Sequence, residues 1–199
     1  DGTIYKRRGA QSLPLKTEPE IERLKLDKGI TSFEDTTLQV PLDFVADSLS
    51  IYEFMTEIIP TNEPLPWLRK QLLIHNDLPK ASAVLLFADE PQIALPKQSG
   101  IKLYRYRTKD EEGSRETLDF DPISIEGPIY KQIYSAVEKT KEIIENSKIL
   151  KDTGLETALY PEKALHEIIT NAVLHRDYSI ASDIHIRIFD NRVEIQSPG

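Results

Sequence analysis

The C-terminal end of the sequence constrains the fold most, because a helical pattern there leads directly into two strand patterns. Apolar residues recur at helical spacing over 161–175, which predicts an amphipathic helix. Residues 183–189 and 192–197 have the composition of short strands, and Asp190-Asn191 between them is typical of a hairpin turn. We therefore expect a layer in which one helix packs on a sheet.

A polar stripe runs along this helix. Glu167, Asn171 and His175 recur every four residues and therefore stack on one face. A carboxylate in such a stripe could orient and deprotonate a water molecule, and an amide oxygen is a suitable ligand for Mg²⁺. The alternative is that these residues form the solvated outer face of an ordinary amphipathic helix. The spacing by itself leaves both interpretations open.

A longer motif surrounds the stripe. Residues 167–178 read Glu, any three residues, Asn-Ala, any two residues, then His-Arg-Asp-Tyr, and Ser197-Pro198-Gly199 follows the second strand. This pattern resembles the start of the ATPase domain in the RecG-related, Schlafen-type bacterial transcriptional regulators, a domain similar to the GHKL ATPases. The resemblance implies that ATP and Mg²⁺ are cofactors, that Glu167 is the water-activating base and that Asn171 is the Mg²⁺ ligand. It also places His175, Arg176 and Asp177 at the nucleotide site, although a structural role for Arg176 and Asp177 in fixing the following loop is the favoured alternative.

The sequence departs from typical GHKL enzymes after the second strand. An Asp that reads the adenine amino group is usual there, whereas this chain has Ser197-Pro198-Gly199. The glycine-rich lid of those enzymes lies further along their sequences than the region matched here. His175-Arg176-Asp177 also resembles the catalytic loop of protein kinases, but Ser182 stands where a kinase requires Asn, and the other kinase motifs are absent from the sequence.

The upstream sequence predicts a mixed α+β arrangement. Tyr5–Ser12 resembles the closing strand of the AlbA-like Schlafen domain, which is associated with nucleic-acid binding, so Lys6, Arg7 and Arg8 are candidate phosphate contacts. Helices are expected over 17–29, 41–59, 67–75 and 127–147, strands over 82–87 and 101–107, and an exposed loop over 108–116.

A second candidate nucleic-acid surface lies in the strand over 101–107. Its cations are Lys102, Arg105 and Arg107, and its tyrosines, Tyr104 and Tyr106, could stack on bases. The alternative is an ordinary amphipathic strand whose charges face water. A net charge of −8 argues against a protein that coats nucleic acid through its overall field.

Composition limits the remaining classes. The sequence has no cysteine, which excludes disulfides and thiolate metal sites, and no apolar run long enough to cross a bilayer. We therefore expect a cytoplasmic protein. A Walker phosphate-binding loop is also absent from the sequence, so DNA unwinding is not expected despite the helicase-like family name.

These observations combine into one prediction of fold class and domains. We expect an α+β protein in which residues 1–12 end an AlbA-like domain, residues 13–150 form a connecting α+β region, and residues 151–199 begin a GHKL-like domain. The leading functional hypothesis is an ATP-binding, DNA-binding bacterial transcriptional regulator, for which DNA, ATP and a second copy of the chain are candidate partners. The alternatives are a Mg²⁺-dependent ATPase that uses Glu167, and a structural or dimerisation module whose nucleotide site has decayed.

Overall fold

The computed structural model describes residues 4–8, 11–15, 17–60, 63–95, 99–151, 154–157 and 160–199. Its helices are α1 Glu18–Asp27, α2 Asp43–Ala46, α3 Leu49–Ile58, α4 Pro64–Lys70, α5 Ala81–Phe87, α6 Ile129–Asn146 and α7 Glu162–Leu174. Its strands are β1 Tyr5–Arg8, β2 Gln11–Pro14, β3 Ile74–His75, β4 Leu78–Pro79, β5 Ile101–Arg105, β6 Ile123–Ile125, β7 Lys148–Lys151, β8 Gly154–Thr157, β9 Ile184–Ile188 and β10 Val193–Gln196. The predicted α+β class is confirmed.

The first half of the chain is mainly helical and packs around its own apolar core, which we call the helical core. It is formed by buried residues of α2 to α5 together with Leu95 and, from much later in the chain, Tyr178. Helix α1 begins with the capping box expected from the sequence, in which Thr17 and Glu20 satisfy each other's backbone groups.

The helix predicted over 41–59 is wrong in one respect, because α2 and α3 are separate. Ser48 lies between them with an extended backbone, and its hydroxyl accepts a hydrogen bond from the Ile51 amide. The Asp89 carboxylate, distant in sequence, accepts hydrogen bonds from the backbone amides of Leu49 and Ser50. These bonds stabilise a new helix start, because the first amides of a helix have no partner within it.

The strand predicted over 82–87 is also wrong, since these residues belong to α5. This helix packs against α2 and α6 and buries five of its seven residues, four of them in the helical core. A short element buried on most sides is apolar throughout, and such a run has no period that distinguishes a helix from a strand. The helix predicted over 67–75 is α4, which starts earlier and ends at Lys70; Leu72 then has a positive φ of 59°.

The second half of the chain forms a four-stranded sheet in the order β10-β9-β5-β6. Strand β5 pairs in parallel with β9 and antiparallel with β6, and β9 forms the predicted hairpin with β10. Alternate residues of β5 and β9 are buried against α6 and α7, which together make a second apolar core, the sheet core. This sheet contains strands from both sides of residue 150.

The two cores meet at the segment that follows α7. Tyr178 is buried in the helical core, although α7, which ends four residues before it, packs in the sheet core. The Arg23 guanidinium also donates a hydrogen bond to the Ser179 hydroxyl at 2.8 Å. The end of α7 therefore connects the two halves of the described chain.

Within the described part of the chain, no helix is both long and apolar enough to cross a membrane.

Candidate functional site

Helix α7 presents its predicted polar stripe outward. Leu165, Ile169 and Val173 are buried against the sheet, which fixes the rotation of the helix. Glu167 and Asn171 consequently lie on the exposed face, one turn apart. The sequence prediction that these two side chains share a face is confirmed.

A shallow open depression of about 460 Å³ lies over this face. Its lining residues are Lys163, His166, Glu167, Thr170 and Asn171. The His166 ring is held by a 3.3 Å contact between Nδ1 and the Thr170 hydroxyl and by an edge-on contact with the Tyr134 ring of α6. One wall of the depression is therefore ordered by side-chain contacts.

Glu167 and Asn171 are free to meet a ligand. Among the described residues, neither side chain has a hydrogen-bond or ion-pair partner. A carboxylate and an amide oxygen one turn apart are hard oxygen donors, which suit Mg²⁺ shared with phosphate oxygens. The two side chains present at this face therefore fit the implied cofactor in donor chemistry.

Lys163 was not identified in the sequence analysis, although a signal for it exists. It lies four residues before Glu167 and so continues the row formed by Glu167 and Asn171 towards the helix start. An ammonium group at this edge of the depression could attract a phosphate.

His175 lies at the other end of the row and is exposed. It is the C-terminal capping residue of α7, and its backbone amide donates a hydrogen bond to the Asn171 carbonyl.

Arg176 is placed differently from the exposed stripe. Its side chain is only 4% exposed, and its guanidinium donates to the Ser182 carbonyl at 2.8 Å and lies 4.8 Å from the Tyr178 ring centre. Longer contacts of 3.4 Å reach the carbonyls of Gly100 and Ile180. Burial lowers the pKa of this guanidinium, and neighbouring acidic groups oppose that shift. These contacts favour the structural alternative for Arg176 over nucleotide contact.

Asp177 and Tyr178 also bond within the protein. The Asp177 carboxylate accepts hydrogen bonds from the Ser179 amide and hydroxyl at 2.8 and 2.5 Å, which closes a tight turn. The Tyr178 hydroxyl donates to the Val173 carbonyl of α7 at 3.1 Å. Burial raises the pKa of Tyr178 to about 12. The segment thus fixes the end of α7 to both cores.

The Ser-Pro-Gly segment lies against the same helix end. The Ser197 hydroxyl donates to the Ala172 carbonyl at 2.8 Å, and the Pro198 carbonyl accepts from the Asp177 amide at 2.9 Å. Ser197 and Pro198 therefore brace the C-terminal end of α7.

The predicted nucleic-acid contacts have mixed outcomes. Lys6, Arg7 and Arg8 form strand β1, but their side chains lie outside the described part of the structure. In β5, Arg105 faces inward and pairs with Asp190 at 2.5 Å, so it is wrong as a phosphate contact. Arg107, two residues beyond the end of β5, pairs with Asp119.

The outer face of the sheet carries polar and aromatic side chains that the sequence analysis only partly identified. Lys102 and Tyr104 of β5 were identified, but His185 and Arg187 of β9 were not. The signal for the latter two was the alternation of β9, which places them on the face opposite its buried isoleucines. No cluster of at least three His, Asp or Glu residues arranged for a metal occurs in the part of the chain that the structure describes.

Comparison with known proteins supports the fold. No protein-family model matches the chain, and no curated protein matches it. The chain is similar to the crystal structure of the DIP2311 protein from Corynebacterium diphtheriae, with a TM-score of 0.59 and 15% sequence identity. The alignment covers 99% of this chain but only 39% of that protein, so the chain spans about two fifths of its length. At this identity the likeness shows the α+β fold alone.

Proposed function

We propose that this chain contains the nucleotide-facing helix of a GHKL-like ATP-binding domain, within a DNA-binding bacterial transcriptional regulator of the RecG-related, Schlafen type. One observation carries the proposal: Glu167 and Asn171 point outward from a rigidly packed helix, and no described residue occupies their polar atoms. Polar side chains with no structural partner on a fixed element are suited to a ligand.

The different contacts of the residues in the 167–178 motif support the proposal further. Arg176, Asp177 and Tyr178 bond to the surrounding protein and hold the helix end, while Glu167 and Asn171 stay available. A helix fixed in this way can hold two side chains at a constant separation, as a metal–phosphate site requires.

In the proposed site, the Asn171 side-chain oxygen would hold Mg²⁺, and Lys163 would approach a phosphate of the nucleotide. When bound, Mg²⁺ would supply positive charge that offsets the negative charge of the phosphates. If the site also hydrolyses ATP, the Glu167 carboxylate would orient a water molecule and accept its proton as the water oxygen bonds to the γ-phosphorus and ADP leaves. Binding and hydrolysis are separate predictions that rest on different side chains.

The test is calorimetric binding of Mg²⁺-ATP to the full-length protein, with phosphate release measured in parallel. We expect Asn171→Ala to weaken binding at least tenfold, and Glu167→Ala to bind ATP but release no phosphate. Asn146→Ala and Glu138→Ala on α6 are matched controls, since both side chains are exposed and neither lines the depression.

The braced Ser-Pro-Gly segment favours a second candidate, a structural module without nucleotide. Ser197 and Pro198 fix the end of α7 through hydrogen bonds, which a purely structural role also requires. The calorimetry distinguishes the two candidates, because an intact protein that binds no ATP supports the structural module and contradicts the proposal.

A further inference from the structure

The outer face of the four-stranded sheet has a cationic and aromatic half that none of the described helices covers. Helices α6 and α7 both pack on the inner face. On the outer face, the strand register places Lys102 opposite His185 and Tyr104 opposite Arg187. We call these four residues the sheet patch; each is partly exposed.

The rings of the sheet patch are ordered by one another. The Tyr104 hydroxyl lies 3.2 Å from His185 Nδ1, and the two ring centres are 5.6 Å apart. The Tyr104 ring is also parallel to that of Tyr106, within 3° and at a centroid distance of 6.1 Å. Little side-chain entropy remains to be lost when a flat ligand stacks here.

Of the two cations in the sheet patch, Arg187 has no carboxylate partner among the described residues, whereas Lys102 has one at long range. Arg187 donates to the neutral amide oxygen of Gln196 at 3.0 Å, and that is its one hydrogen bond within the described residues. Glu194 lies opposite Arg187 in the register, yet its carboxylate bonds to Arg192 at 2.6 Å. Lys102 forms a long ion pair with the Asp183 carboxylate at 3.7 Å, beyond hydrogen-bond distance. This local positive charge contrasts with the net charge of −8 over the chain.

The other half of the outer face is already covered by the chain itself. Arg192 donates to backbone carbonyls of Asp110 and Glu111, and its guanidinium stacks on Phe189 at 3.8 Å. Gly113 lies against the Tyr106 ring, so that a Cβ there would overlap it. The acidic loop over 108–116 therefore bounds the patch on one side and restricts a polyanion to the open half.

We propose that the sheet patch binds single-stranded nucleic acid, with Tyr104 stacking on a base and Lys102 and Arg187 contacting phosphates. Aromatic rings beside an arginine without a carboxylate partner and a lysine in one long ion pair, on a partly exposed sheet face, match the chemistry of unstacked bases joined by phosphates. A duplex keeps its bases stacked inside and cannot use the rings. This proposal is independent of the nucleotide site on α7, which lies on the opposite side of the sheet.

The test is fluorescence anisotropy of a short labelled oligothymidylate with the full-length protein, measured over a series of salt concentrations. We expect Tyr104→Leu to weaken binding about tenfold at fixed salt without changing the salt slope. Lys102→Gln and Arg187→Gln should each reduce the slope of log K against log salt by about 0.7, the value for one lost phosphate contact on a single strand. Lys139→Gln and Tyr52→Leu are the matched controls, because both residues are exposed on helices distant from the patch.

Four results would overturn the proposal. The first is no binding by the intact protein, and the second is binding that the patch variants weaken no more than the controls do. The third is equal binding of a duplex of the same length. The fourth is displacement of the oligonucleotide by polyglutamate together with unchanged binding by Tyr104→Leu; the third and fourth results would each mean that the rings do not contact bases. None of these results bears on ATP binding, which is measured separately on α7.

Discussion

Replacing Arg176 by Ala should destabilise the fold through the joint between the two cores. The guanidinium donates a charge-assisted hydrogen bond to the Ser182 carbonyl at 2.8 Å, and such bonds contribute about 1.5–3 kcal/mol. Its position 4.8 Å from the Tyr178 ring centre adds about 1–2 kcal/mol when desolvated, whereas the two 3.4 Å contacts add little. Burying the charge costs several kcal/mol in the opposite direction, so part of this gain is offset. We expect a net loss of about 2–3 kcal/mol in the free energy of unfolding.

Urea unfolding measures this loss directly. Trp67, the sole tryptophan, contacts Phe54 and Phe87 in the helical core, and its fluorescence reports on that core. Far-UV circular dichroism reports on both halves, so a separation of the two transitions in Arg176→Ala would show that the joint itself has been lost.

Three further variants complete this experiment. Arg176→Lys should lose most of the same free energy, because an ammonium cannot reproduce the planar stacking and the fork of donors. Arg115→Ala, at an exposed arginine, and Glu167→Ala should each change stability by less than about 0.5 kcal/mol. A change of that small size in Arg176→Ala would refute the structural role assigned to this residue.

Two other variants test the packing around this joint. Tyr178→Phe removes the hydrogen bond to the Val173 carbonyl and should cost about 1 kcal/mol in urea unfolding at neutral pH. Burial raises the pKa of Tyr178 to about 12, so its contribution to stability is complete below the ordinary tyrosine pKa near 10 and is lost as the pH rises through about 12. The phenylalanine variant should lack that part of the loss of stability at alkaline pH. An identical dependence of stability on alkaline pH in the two proteins would contradict the reasoning. Gly100→Ala places a Cβ 2.6 Å from the Ile125 carbonyl oxygen, where β5 and β6 pair, and should destabilise the sheet by about 1–3 kcal/mol. Ser124→Ala, at an exposed position of β6, is its control, and equal stability of the two variants would show that the strands can separate without cost.

The parts of the fold that were predictable from the sequence have a strong local signal. The α6 and α7 helices have one buried and one exposed face, and β9 alternates and forms a hairpin with β10 around a two-residue turn. Local periodicity also placed Glu167 and Asn171 together, because i and i+4 positions of a helix always share a face.

The parts that could not be predicted depend on distant residues. The break between α2 and α3 is stabilised by Asp89, which follows the C-terminal end of α5 and lies about 40 residues further along the sequence. Burial disfavours the charged form of Asp89, but the hydrogen bonds from Ser50 and Leu49 outweigh it and lower its pKa. The parallel pairing of β5 with β9 is another long-range contact without a local pattern.

The candidate site was limited in the same way. A motif match cannot show that Arg176 is buried while His175, the residue before it, is exposed. That difference arises because the chain turns inward after α7 to reach Gly100 and the helical core. The burial of Arg176 therefore depended on a tertiary contact that residues 167–178 do not specify on their own.

The measurement that tests the central claim most directly is the Mg²⁺ dependence of ATP binding by Asn171→Ala. The intact full-length protein and the Asn146→Ala control should bind ATP more tightly with Mg²⁺ than with EDTA. Asn171→Ala should lose that difference while its urea unfolding stays unchanged, since the side chain is exposed and has no described partner. Absence of ATP binding in the intact protein, or an unchanged Mg²⁺ effect in Asn171→Ala, would contradict the assignment of α7 as a nucleotide-facing helix.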